Sequence, residues 1–164
     1  MPNDAIKDAL KLMPYGFYSV TSRAGDDVNA MVANWLTQVS FDPRRVALGL
    51  QKTCYTHGLV EKSGVFALNI FHEDDEELLM PFTKGRSKRP DKMDEAEFTP
   101  APETGCPILD GAAAYLEFKV VEIVDFGGDH DIILAEPVGA GVLNEDVEVE
   151  EILTLPKLGW SYAG

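Results

Sequence analysis

The sequence predicts a mainly β domain, closed or nearly closed into a barrel and carrying a few short helices. Two observations predict it. A series of short segments rich in β-branched and aromatic residues is separated by Gly, Pro, Asn and Asp turn chemistry, and helical periodicity appears only in brief stretches. Many short strands favour a barrel because closure removes exposed sheet edges. With 164 residues and no linker-like stretch or internal repeat, residues 1–164 read as one domain.

The elements follow in order. Residues 3–12 place Ala5, Ile6, Leu10 and Leu12 at helical spacing behind an Asn3/Asp4 cap, and Pro14 and Gly16 end that helix. "GFYSVTSR" reads as a strand, "RAGDDVN" as a hairpin turn, and 31–41, ending in "ANWLTQVSF", as one continuous strand. "RVALGLQ" and "VFALNIF" are further strands. Between them "THGLVEKSG" is a helix with Thr56 as cap and Gly64 as stop. "HEDDEELLMPF" is a second helix with acids in its first turn. Residues 82–107 read as a long loop rich in Pro, Gly and charge, of the kind that is more often functional than idle. "AAAYLEFKVVEIVDF" and "HDIILAEPVGAGVL" complete the strands.

Charge bounds the partners. Fourteen basic against 28 acidic residues give a net charge of −14, which argues against nucleic acid and anionic membrane as partners. Cys54 and Cys106 stand far apart without metal or redox spacing, so no metal site is expected and a reduced, cytoplasmic protein is. No segment has the length of a membrane span and none reads as a targeting signal.

Within 31–41, strict alternation puts Met31, Ala33, Trp35, Val39 and Phe41 on one face, with Thr37 the polar exception, and Asn34, Leu36, Gln38 and Ser40 on the other. The first set is the expected core face. The second carries neutral hydrogen-bonding groups and no charge, which fits either a pocket wall or an exposed face. In the next strand Gly49 alternates with Ala47 and Gln51, leaving room for a neighbouring strand or a flat ligand. Lys52, Thr53 and Cys54 then precede the helix start, either an ordinary cap beside a surface lysine or an anion cradle. Lys84, Arg86, Lys88, Arg89 and Lys92 concentrate positive charge in the loop and make it a second local anion site.

Together these segments resemble the flavin reductase-like, FMN-binding split-barrel family. Ser40, Asp42 and Pro43 match its "S-x-D-P"; Lys52, Cys54 and Thr56 fall on its phosphate segment; Phe66 and Asn69 match its "Phe-x-x-Asn". "PFTKGRSKRPDKM" is similar to its loop ending in "D-K" and an apolar residue, "GGDHD" to its Gly-Asp-His strand, and "LPKLGWSYAG" to its tail, with Tyr162 as the tail's aromatic residue. The resemblance covers nearly the whole chain after about residue 14. Cys54 stands where Ser is common, and Ala135 and Glu136 where many members have Gly.

The resemblance implies a homodimer with FMN, or else FAD or riboflavin, at its interface and NAD(P)H as hydride donor. It places Asn34, Trp35, Leu36, Thr37 and Gln38 along the flavin ring, with a bulge required if Thr37 is to reach it. Ser40 goes to the ribityl or phosphate end, and Lys52 and Thr56, with Cys54 a poorer partner, to the phosphate. Gln51, Phe82 and Lys92 complete the cofactor-binding set. His130 either holds the nicotinamide or helps protonate reduced flavin as the catalytic residue, or merely bonds a backbone group. His57 and His72 read as structural. The implied activity is an NAD(P)H:flavin reductase serving a redox partner or a monooxygenase component. The alternatives are an FMN-bound electron carrier that does not react with NAD(P)H and a flavin-storing binding protein.

Overall fold

The computed structural model describes residues 4–163. Helix α1 (Ala5–Leu10) is capped by Asp4, whose carboxylate accepts from the Lys7 amide at 2.9 Å. The other half of the expected cap, Asn3, lies outside the described residues. Strands β1 (Tyr18–Ala24), β2 (Asp27–Ala33), β3 (Leu36–Phe41) and β4 (Arg44–Gln51) follow, then α2 (Tyr55–Ser63) and β5 (Val65–Ile70). After the long loop come β6 (Phe98–Pro100), β7 (Pro107–Leu109), β8 (Ala114–Val124) and β9 (His130–Val142).

Seven strands form one sheet in the order β2-β1-β5-β8-β9-β4-β3, and β6 pairs with β7. The outermost strands, β2 and β3, are consecutive in the chain and joined only by Asn34 and Trp35. A flat sheet of this order would hold its edges about 29 Å apart at strand spacing, while the stretch from Ala33 to Leu36 spans at most about 11 Å. The sheet must therefore curl until its edges nearly meet. They are not hydrogen-bonded to each other, so the barrel is split. The core inside it holds Val20, Leu48, Leu50, Phe66, Phe118 and Ile133, with Phe66 stacked on Phe118 at 4.9 Å.

Several expectations are corrected. The continuous strand 31–41 is two strands, because the chain leaves one sheet edge at Ala33 and joins the other at Leu36. Its expected core face is not core throughout: Val39 and Phe41 are exposed, Phe41 to 90%. A bulge between Gln38 and Ser40 resets the alternation there, and β3 is an edge strand. The helix expected over 72–82 is two 3-10 turns, 73–78 and 80–82. The loop 82–107 carries β6 and runs into β7, and the two pair as a small ribbon. Asn69 holds that ribbon: its Oδ1 accepts from the Leu109 amide at 2.8 Å and its Nδ2 donates to the Pro107 carbonyl at 3.2 Å. The N-cap of α2 is Cys54, not Thr56, because Thr56 is the second residue of the helix with its hydroxyl turned to β2; Gly64, in the left-handed region, stops it as expected.

Candidate functional site

The seam between the barrel edges holds Asn34 and Trp35, two of the expected ring-binding residues. Trp35 fills it. Its carbonyl accepts from the Gly49 amide at 2.8 Å, and a Cβ at residue 49 would stand 3.3 Å from the Trp35 Cβ. The bare position in β4 therefore receives the tryptophan of the β2–β3 connection. Around the indole stand His130 at 4.9 Å, Tyr162 at 5.6 Å and Tyr15 at 6.4 Å between ring centroids. Asn34 Nδ2 is buried at the same seam with no hydrogen-bond partner. A buried amide left unpaired costs free energy that a ligand acceptor would recover.

Leu36 packs against the barrel core, while Thr37 and Gln38 are exposed. Gln38 Nε2 donates to the Ser40 carbonyl at 3.1 Å, spanning the bulge, and Thr37 Oγ1 donates to the Gln38 carbonyl at 3.3 Å. Ser40 is half-buried beyond the bulge. Gln51 is exposed at the end of β4, in register with His130 on β9. His130 Nδ1 is 2.7 Å from Asp129 Oδ1, a bond that holds the Asp129 carboxyl below the usual carboxylate range.

A second cluster forms at the start of α2. Cys54 is the N-cap and provides no side-chain cap bond. Burial pushes its thiol up, against the opposing influence of the His57 and Thr56 amides. Thr56 is buried, and its hydroxyl accepts from Asn29 Nδ2 at 2.9 Å. Arg86 reaches in from the loop: its guanidinium lies 4.3 Å over the Tyr55 ring, and Nη1 donates to the Val28 carbonyl at 2.9 Å. Its Nη2 lies 3.8 Å from Asp27, to which the Tyr55 hydroxyl also donates.

Lys92 is the unusual member. It is only 5% exposed, its Nζ donates to the Lys84 carbonyl at 3.0 Å, and among the described residues no carboxylate comes within ion-pair distance. Burial first, and then the like charge of Arg86, lower its pKa to about 8. Phe82 is buried in a second apolar cluster with Phe17, Phe71, Leu79 and Leu153, against which Met93 also packs, and it borders the same cavity as Lys92. Phe82 and Met93 thus anchor the loop on either side of the basic run, which sets Lys92 in place.

Lys52 takes a different place from the one expected. Its ammonium is 2.7 Å from Asp125 Oδ1 and 4.0 Å from Asp131 Oδ1, both at the β8–β9 turn. The Asp125 bond raises the lysine pKa and lowers that of the aspartate. The structure thus groups Cys54, Thr56 and Lys92 with Arg86, and sets Trp35, which lies between Asn34 and Leu36 in the chain, against His130. Arg86 had a signal in the basic run 84–92. Asn29, reached only through the sheet, had none.

A curled sheet whose meeting edges frame an uncharged polar seam, with an uncapped helix start, a buried lysine and a half-buried arginine alongside, is the architecture of a split-barrel flavoprotein. The chain belongs to the flavin reductase like domain family, whose model matches residues 10–156. It is 33% identical over 144 residues to a ferric-chelate reductase (NAD(P)H) of Archaeoglobus fulgidus, covering 87% of this chain and 83% of that protein. It is 35% identical over 123 residues to a putative diflavin flavoprotein of Nostoc sp., of which the matched part spans only 21%. Among solved structures, an NADH:FAD oxidoreductase of Streptomyces globisporus superposes with a TM-score of 0.74 at 27% identity, over 87% of this chain and 85% of that one. The flavin reductase HpaC in complex with NADP+ gives 0.74 at 25% identity, over 88% of each chain.

Proposed function

We propose that the chain is an NAD(P)H-dependent flavin reductase that binds FMN, with FAD or riboflavin as further flavins, and passes electrons to a partner. The observation that carries the flavin assignment is Lys92: a buried ammonium without a carboxylate partner among the described residues, in a chain of net charge −14, beside an uncapped helix start. A buried cation without a counter-charge is costly, and a phosphate would supply that charge.

The residues present fit such a cofactor. Lys92, Arg86 and the first amides of α2 hold its phosphate; Asn34 Nδ2 donates to the uncharged ring edge; Trp35 and Leu36 shield a face from water. Thr37, Gln38, Ser40 and Gln51 border the ring and ribityl chain. When bound, the flavin supplies the redox chemistry, accepting a hydride from the nicotinamide and yielding electrons onward. With Nδ1 engaged by Asp129, the free nitrogen of His130 is Nε2, which holds the nicotinamide amide or delivers a proton at the ring.

The assembly proposed is a homodimer in the cytoplasm, its second copy covering the exposed Val39, Phe41, Val138, Val142 and Leu143. Among the described residues no helix is long and apolar enough to cross a membrane. The likeness to a ferric-chelate reductase, and to the flavin reductase component of a bacterial two-component tryptophan halogenase, motivates a separate electron acceptor. Anaerobic mixing of the FMN-loaded protein with NADH or NADPH tests the reading. Bleaching of the flavin absorbance is expected; persistent yellow colour would assign an electron carrier instead, and failure to take up flavin would refute both.

A further inference from the structure

We infer that Lys52 is a positioning residue for His130, holding the β8–β9 turn so that the histidine ring stays against Trp35. The inference rests on the proposed role of His130 at the flavin site.

The turn, residues 125–129, has little to fix it. It carries Gly127 in a backbone conformation that side chains rarely adopt, Gly128 next to it, and Phe126, which is exposed. Its order comes from contacts that converge on residue 52. The Lys52 amide donates to the Asp129 carbonyl at 3.0 Å, extending the β4–β9 ladder by one bond past the Gln51–His130 pair. The Lys52 ammonium holds Asp125 Oδ1 at 2.7 Å, and that same oxygen accepts from the Gly127 amide at 2.9 Å, so one side chain fixes the turn from within. The ammonium also stands 4.0 Å from Asp131 Oδ1, a buried oxygen with no hydrogen bond, while Asp131 Oδ2 lies 2.7 Å from His57 Nε2 on α2.

His130 sits between two residues tied in this way. Asp129 is held through its backbone by Lys52 and holds the His130 ring through its carboxylate; Asp131 is anchored to α2 through His57 and neutralised by Lys52. Three carboxylates, those of Asp125, Asp129 and Asp131, crowd this end of the barrel, and Lys52 is the cation among them. Removing the cation leaves Asp125 and Asp131 without their counter-charge. The backbone on both sides of His130 then relaxes, and the ring leaves the indole. This role differs from the phosphate role that the sequence suggested for Lys52.

The test compares the parent with Lys52→Met, Lys52→Arg and His130→Gln. In the flavin-free protein, the His130 ring protons should show NMR ring-current shifts and cross-relaxation with Trp35. Lys52→Met should abolish both, and Lys52→Arg should retain them. In the FMN-loaded protein, Lys52→Met should raise the KM for NAD(P)H or slow flavin reduction about tenfold while changing FMN affinity less than threefold. Its effect should not add to that of His130→Gln. If Lys52→Met leaves the His130 signals in place, or weakens FMN binding tenfold with those signals intact, the inference is overturned. A parent that is not reduced by NAD(P)H would refute the reductase reading instead, and the NMR comparison would still decide the role of Lys52.

Discussion

Asn29 Nδ2 donates to Thr56 Oγ1 at 2.9 Å, joining β2 to the first turn of α2 inside the protein. Thr56 therefore serves the anion cradle indirectly. Its hydroxyl is committed to the sheet, and its backbone amide, not its side chain, faces the helix start. Thr56→Val should leave the Asn29 amide buried and unpaired, at a cost of about 1–3 kcal/mol in chemical denaturation. Thr56→Ser should restore most of that stability. If the valine variant is as stable as the parent, the bond does not tie the two elements.

The depressed pKa of Lys92 gives a dependence on pH with a definite sign. The folded protein releases this proton near pH 8, whereas an unfolded lysine keeps it to about 10.4. The unfolded state therefore binds more protons between these values, and the contribution of Lys92 to the stability of the flavin-free protein becomes more favourable as pH rises through that window. Phosphate binding runs the other way, being strongest below about pH 8 and weakening above it as the ammonium is lost. Titrations of FMN from pH 7 to 9.5 should show the decline, and Lys92→Met should flatten it. An equal decline in Lys92→Met would place the titrating group elsewhere.

Glu117 is buried in β8 and accepts from the Glu103 and Thr104 amides and from the Thr104 hydroxyl, pinning the loop before β7. A Cβ at Gly139, opposite on β9, would run into that carboxylate. Because three donors fix the carboxylate, it cannot swing aside at small cost. Gly139→Ala should destabilise the fold by about 1–3 kcal/mol in thermal or urea unfolding. An unchanged midpoint would show that Glu117 is free to move.

Phe41 is 90% exposed at the β3–β4 turn and lines an open groove together with Val138 of β9. If a second copy covers this face, Phe41→Glu should convert a dimer to monomer in sedimentation velocity without unfolding the barrel. A parent that sediments as a monomer would remove the proposed interface.

The contrast between these sites shows what could be read without coordinates. Strand positions are local: "VFALNIF" and "RVALGLQ" carry their own patterning and turn residues, and Gly64 marks a helix end by its backbone freedom alone. The break at Asn34 and Trp35 is not local, because only the closing of the sheet puts Ala33 and Leu36 on opposite edges. The bulge between Gln38 and Ser40, on an edge strand, leaves exposed Val39 and Phe41, which strict alternation puts inside. At the site, charge density in 84–92 revealed the anion site as a region. Which cations enter depended on the anchoring of Phe82 and Met93, and which are spent elsewhere on the pairing of Lys52 with Asp125. Both are long-range contacts.

The central claim, that a phosphate-bearing flavin is held by Arg86, Lys92 and the start of α2, is tested most directly by comparing FMN and riboflavin affinities for the parent at pH 7 by isothermal titration. The two ligands share the ring and differ in the phosphate. Charge-assisted contacts of about 1.5–3 kcal/mol predict FMN binding roughly ten- to a hundredfold tighter. Equal affinities would contradict the account.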